Sequence, residues 1–254
     1  MSDQIERPIF YEGQVLGAAD LTASVEYGRG QQARHERFLH SWGIANGLEL
    51  TGADKETAAG VKYKEITLSP GVAIDGTGRE IIVPEKERMS EDLFADLNVA
   101  IADKEAWYPV FLLGRDEPAP QSTLAATSCG SAQPSRLIEG FEIDFGGPGE
   151  ELNVDKQDIP EITDGPLGNW RVLLGFVQWD ATIKRFRAVA FESNGIGRRM
   201  AGVQADLVAA RGGRLTLRTS STNEAGKPAL VIDEKGDWPL QFGKLTTQGT
   251  VTPV

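Results

Sequence analysis

The amino-acid sequence predicts a mainly β protein: a sandwich- or barrel-like body, one long N-terminal helix and a β-rich C-terminal oligomerisation segment. Three observations carry that prediction. From about Ala18 to Ser41 there is no proline, and Leu21, Val25, Gly28, Gln32, His35, Leu39 and Trp42 recur at steps of four and three, the spacing of one helix face. After Gly47 the pattern changes to short runs of period two, as in strands with one buried face. No strand–helix–strand alternation follows, so a doubly wound nucleotide-binding sheet is not expected. The boundaries fall at 1–52 for the arm and helix, 53–195 for the body and 196–254 for the C-terminal short strands.

The elements follow in order. Asp20 suits the first turn of the helix, where an acid favours the dipole, and Gly43 is a natural stop just past the stripe. Gly28 and Gly30 weaken the middle by roughly 1 kcal/mol each relative to Ala, so a helix of this length needs a partner surface. Lys64 to Pro84 holds two apolar runs around Asp75-Gly76-Thr77-Gly78, a hairpin signal because glycine supplies the positive φ of the turn. Glu87 to Ala102 predicts a short helix capped at Ser90. Trp107 to Pro118 reads as a buried strand leaving into a loop, and Arg136 to Phe145, Trp170 to Asp180 and Lys184 to Phe191 read as strands, with polar loops at 121–134 and 146–169. From about Gly197 the pieces are short and polar, and such strands gain stability by pairing with the body or with identical chains.

Composition narrows the function. With 26 basic and 37 acidic residues the net charge is −11, which argues against nucleic acid or an anionic membrane as partner. Cys129 is the single cysteine, so no internal disulfide forms and a reducing compartment is expected. MSDQIERPIF lacks the basic and apolar regions of a secretory signal, and the runs Trp107–Leu113 and Val172–Val177 are far shorter than a bilayer span. Cytoplasmic synthesis without membrane insertion is the expectation.

Catalytic motifs are scarce. Arg34 to Gly43, RHERFLHSWG, suggests a zinc helix, but His35 and His40 are five apart. On a regular helix that turns the second about 140° from the first, so no shared metal is expected there. His40 instead suits a helix C-terminus. Cys129 has no base but these two histidines, and Gly195–Gly202 has the wrong glycine spacing for a dinucleotide loop. The carboxylates Asp75, Glu80, Glu139, Glu142, Asp144, Glu150, Glu151, Asp155, Asp158, Glu161 and Asp164 read as turn and surface residues rather than a hydrolytic pair. The expectation is no catalytic residue, no cofactor and no metal. Arg198, Arg199, Arg211, Arg214 and Arg218, against the single acid Asp206, form a candidate interface for acidic surfaces of sister subunits. Trp107, Trp170, Trp179 and Trp238 would be the stacking residues if the chain were instead a carbohydrate- or surface-binding module.

Three segments carry a family resemblance: RPIFYEGQVLGAADL (Arg7–Leu21), QQARHERFLHSWGIANGLEL (Gln31–Leu50) and LSPGVAIDGTGREIIVP (Leu68–Pro84). Together they resemble baseplate- or spike-associated proteins encoded with phage-tail-like contractile injection systems. The resemblance implies a non-enzymatic structural subunit of a contractile particle, with identical subunits (a trimer is expected) and other particle proteins as partners. It also implies a particle-associated location, and that Trp42, Gly43, Gly47, Asp75, Gly76, Gly78, Arg79 and Glu80 define the fold.

Overall fold

A computed structural model of the chain describes residues 5–98, 106–119, 136–156, 170–204, 214–218 and 228–233. In chain order the elements are α1 (Ala18–Leu39), β1 (His40–Ser41), β2 (Gly43–Gly47), β3 (Leu50–Glu56), β4 (Lys62–Leu68), β5 (Gly71–Ile74), β6 (Glu80–Val83), β7 (Glu87–Arg88) and α2 (Glu91–Asn98). There follow β8 (Tyr108–Pro118), β9 (Leu137–Phe145), a 3-10 helix (Glu150–Lys156), β10 (Val172–Asp180), β11 (Arg185–Ala190), β12 (Glu192–Ser193), β13 (Ile196–Gly197), β14 (Gly202–Val203), β15 (Arg214–Arg218) and β16 (Pro228–Asp233). The protein is mainly β with one long N-terminal helix, as the sequence predicts, and its sheet curves as a half-barrel.

Three antiparallel sheets share the core: β11–β10–β8–β9, β2–β5–β6 and β3–β4–β7. Their inward residues, among them Ile44, Leu50, Ile66, Leu68, Ile81, Val110, Val172 and Leu174, form one buried cluster. Strand alternation explains the membership. In β6, Ile81 and Val83 face in while Ile82 faces solvent. In contrast β10 is buried through Val172 to Val177, a central strand covered on both faces, which its apolar run anticipates. At one end α2 inserts Phe94 between Tyr108, Phe145, Trp179 and Phe186, with ring centroids 4.7–5.5 Å away. Ser90 caps α2 as expected: its Oγ accepts the Leu93 N–H at 3.1 Å.

Several boundaries differ from the sequence reading. The helix ends at Leu39 rather than Ser41, because His40 and Ser41 pair with Val203 and Gly202. Gly43 therefore lies in a strand and does not stop the helix. The hairpin expected around Asp75–Gly78 is present as β5 and β6, while the earlier part of the first run, β4, pairs with β3 instead. The polar segment after Phe145 contains the 3-10 helix, whose short turns leave no periodic signature. Ile44, Leu48 and Leu50, within the arm-and-helix span 1–52, are fully part of the core.

The chain divides into two compact units, Met1–Gln204 and Ala205–Val254. In the second, β15 and β16 pair antiparallel, with Arg214 opposite Asp233 and Arg218 opposite Pro228 in register. The loop 121–134, with Cys129, lies outside the described residues. Among those residues no helix is long and apolar enough to cross a membrane.

Phe94 anchors α2 on the body through ring contacts on several sides. We expect Phe94→Ala to cost about 3–5 kcal/mol in denaturant unfolding, whereas Leu93→Ala, at an exposed position of the same helix, costs less than about 1 kcal/mol.

Candidate functional site

Of the residues expected to define the fold, Asp75, Gly76, Gly78, Arg79 and Glu80 lie in and beside one loop, where α1 meets the body, and Trp42 reaches it through Trp170. The loop after β5 is closed by its own polar groups. Asp75 Oδ1 accepts from the Thr77 N–H (2.8 Å), the Thr77 hydroxyl (2.6 Å) and the Arg79 N–H (3.0 Å). The Asp75 N–H donates to the Arg79 carbonyl at 2.9 Å. Asp75 is buried, and burial pushes its carboxyl above the ordinary range, against the downward pull of the Thr77 and Arg79 hydrogen bonds and the Arg79 charge.

This loop puts Gly78 against the helix backbone. Gly78 has φ +84°, and a Cβ added there would lie 2.1 Å from the Ala33 carbonyl oxygen. Only glycine permits that conformation and that approach together. Around the contact, Gln32 Nε2 donates to Glu80 at 3.1 Å. Arg79, only 10% exposed, lies across Gly114 and pairs with Asp116 at 2.5 Å. Arg29 of α1 reaches Asp116 (3.8 Å) and Glu139 (3.1 Å) from the other side. Gly76 is covered by the Trp170 ring, and Trp170 meets Trp42 edge to face at 5.4 Å.

Arg198 and Arg199, expected at an interface, turn toward their own chain. Arg199 lies over the Trp42 ring at 4.2 Å and donates to the Trp42 carbonyl at 3.1 Å. Arg198 lies over Phe191 at 4.4 Å and sits 3.8 Å from Glu49. Both fasten the 198–204 segment beside residues 39–44, where the Ile44 N–H donates to the Arg199 carbonyl and the Ala201 N–H to the Ile44 carbonyl, each 2.8 Å. Gly43 allows that neighbourhood, because a Cβ there would clash with the Arg199 carbonyl, while Gly47 makes its close approach elsewhere, to the Pro70 carbonyl. Arg214 and Arg218 belong to β15 in the second unit, and Arg211 lies outside the described residues, as does Asp206.

The other candidates distribute as follows. Glu142 pairs with Arg115, and Asp144 and Glu150 with Arg171, which also stacks over Phe111 and lines a cavity with Asn153 and Val154. Trp170 and Trp179 are buried, Trp107 packs against the core, and Trp238 is outside the described residues. His35, Glu36 and His40 approach one another: donor atoms of all three lie within 4.8 Å of each other. The spacing argument had set the histidines apart by assuming one continuous helix, but His40 is extended (φ −123°, ψ 155°) and outside α1.

Several large apolar side chains of the arm, α1 and β14 stay exposed in the described part of the chain. No residue of α1 is buried. Phe10, Tyr11, Leu21, Val25, Phe38 and Val203 are all exposed, and Val15 is 92% exposed. Contacts spread over so many distant segments, including Ala33 and Asp116, have no local sequence signal.

The joint makes two expectations measurable. Gly78→Ala should destabilise by more than about 2 kcal/mol and speed hydrogen exchange in α1 near residue 33. Gly60→Ala, with φ +79° but only the flexible Glu56 side chain nearby at 3.4 Å, should cost about 1 kcal/mol and leave α1 unchanged. At Asp75 an amide retains the acceptor, so Asp75→Asn should stay within about 1 kcal/mol of the parent at pH 7, while Asp75→Ala loses about 2–3 kcal/mol through orphaned donors. A raised folded pKa stabilises most below the unfolded value, near about 3.9, and that contribution is lost as pH rises through the folded value. Acidification should therefore favour the parent over Asp75→Asn in urea melts at stepped pH. No protein-family model matches the chain, and no curated protein matches it.

Proposed function

We propose that this chain is a non-enzymatic structural subunit of a phage-tail-like contractile injection particle, at or around its baseplate or spike, acting by oligomeric assembly. The observation that carries the assembly part is the set of large apolar side chains left exposed on the N-terminal arm and α1. These side chains are held in solvent by a body whose core is complete without them. Large apolar side chains left bare in number mark interaction sites, and a helix of 22 residues with none buried presents about 33 Å of contact length to another protein. The particle itself comes from the family resemblance of 7–84, whose three motif segments supply the arm, α1 and the 75–80 loop. Identical subunits and other particle proteins are the partners, and the C-terminal segment 196–254, with β15 and β16, offers strands for sheet pairing between chains.

Light scattering on the untagged full chain tests this directly. An oligomer, a trimer in the simplest case, is expected, and Leu21→Glu with Val25→Glu should shift it to monomer without lowering its melting temperature. In a gentle particle preparation the chain should sediment with sheathed tubes at a few fixed copies per particle. A stable monomer at high concentration, absent from such particles, overturns the proposal.

A further inference from the structure

We propose that His35, Glu36 and His40 form a site for one borderline divalent transition-metal ion, Zn²⁺ being the probe of choice, at the junction of α1 and β1. The proposal goes beyond assembly and stands on geometry within one chain. The convergence depends on the end of the helix. The His40 N–H still donates to the Glu36 carbonyl, so the turn is tight, while its extended backbone enters the ladder with Val203. The Gln204 N–H on the Leu39 carbonyl (2.8 Å) fixes the same corner. The His40 ring is thereby brought to 5.3 Å from that of His35, centroid to centroid, with planes inclined at 54° rather than stacked. Glu36 completes a set whose donor atoms all lie within 4.8 Å of one another.

Tetrahedral bonds of about 2.0–2.2 Å need donors roughly 3.3 Å apart, so side-chain rotation alone has to close the remaining gap. These side chains are free to make it: among the described residues, no hydrogen bond or ion pair holds the two imidazoles or the Glu36 carboxylate. Two neutral imidazoles and one carboxylate suit Zn²⁺, Co²⁺ or Ni²⁺, and not Ca²⁺ or Mg²⁺, which prefer oxygen throughout. Three protein donors leave at least one position for water or for a donor from another chain. Bound metal ties the last turn of α1 to the β1–β14 ladder.

The experiment is calorimetric titration of Zn²⁺ into the untagged, EDTA-treated and dialysed full chain, paired with the visible spectrum of Co²⁺. With only two histidines in the sequence, assignment is direct. One ion per chain is expected, with tetrahedral-type Co²⁺ bands, and a melting temperature raised by Zn²⁺ in the parent alone. Affinity should fall by more than about tenfold in His35→Ala and in His40→Ala, and measurably in Glu36→Gln. Melting of each variant in EDTA verifies folding, and His40→Asn serves where His40→Ala does not fold. No saturable binding, or binding that these variants leave unchanged, means adventitious surface ions only and overturns the proposal.

Discussion

The structure around the helix depends on one close approach, the Gly78 backbone against the Ala33 carbonyl. Most surface helices are held by an apolar stripe pressed into a core. Here α1 contributes nothing buried, and its position is set by backbone contact, the Gln32–Glu80 hydrogen bond and the Arg29 ion pairs. Because exposed ion pairs contribute little, the steric fit at Gly78 is the determinant and the polar contacts select its register. These contacts gather between Arg29 and Ala33, and Leu21 and Val25, one to three turns nearer the N-terminus on the same stripe as Gln32, stay exposed.

The loop that makes this fit has to be rigid, and it achieves rigidity at a cost in solvation. Asp75 gives up water to accept three hydrogen bonds within its own turn, and Arg79 is drawn across Gly114 to Asp116. A buried acceptor with its donors satisfied fixes one conformation more firmly than an apolar turn would. From that loop the order passes to Trp170 over Gly76, then to Trp42 and Arg199. The same short stretch thus organises both the helix and the strand after it.

Beyond Leu39 the chain has two competing fates, another helical turn or a strand, and the 198–204 segment decides between them. Its N–H and carbonyl groups offer partners to residues 39–44 that a longer helix would forgo. Arg198 and Arg199 hold that segment down by stacking on Phe191 and Trp42. Arginines in a run look like an outward electrostatic face, yet a planar guanidinium over an aromatic ring fastens chain to chain equally well. The swing of His40 toward His35 is a by-product of this choice of strand over helix.

The sequence by itself determined the mainly β class, the long helix, the Ser90 cap of α2, the buried run of β10 and the glycine-bearing loop after Ile74. Each follows from a local rule of periodicity, capping or φ preference that residues near in sequence suffice to express. Only the tertiary structure decided where α1 ends, which strand β4 pairs with, that Arg198 and Arg199 turn inward, and that Arg29, Arg79 and Asp116 meet. Those outcomes depend on partners such as Val203 for His40 or Asp116 for Arg79, far away along the chain. Helical spacing alone kept His35 and His40 apart. A strand contact 163 residues from His40 brought them together, because backbone pairing outweighs the continuation of one more helical turn.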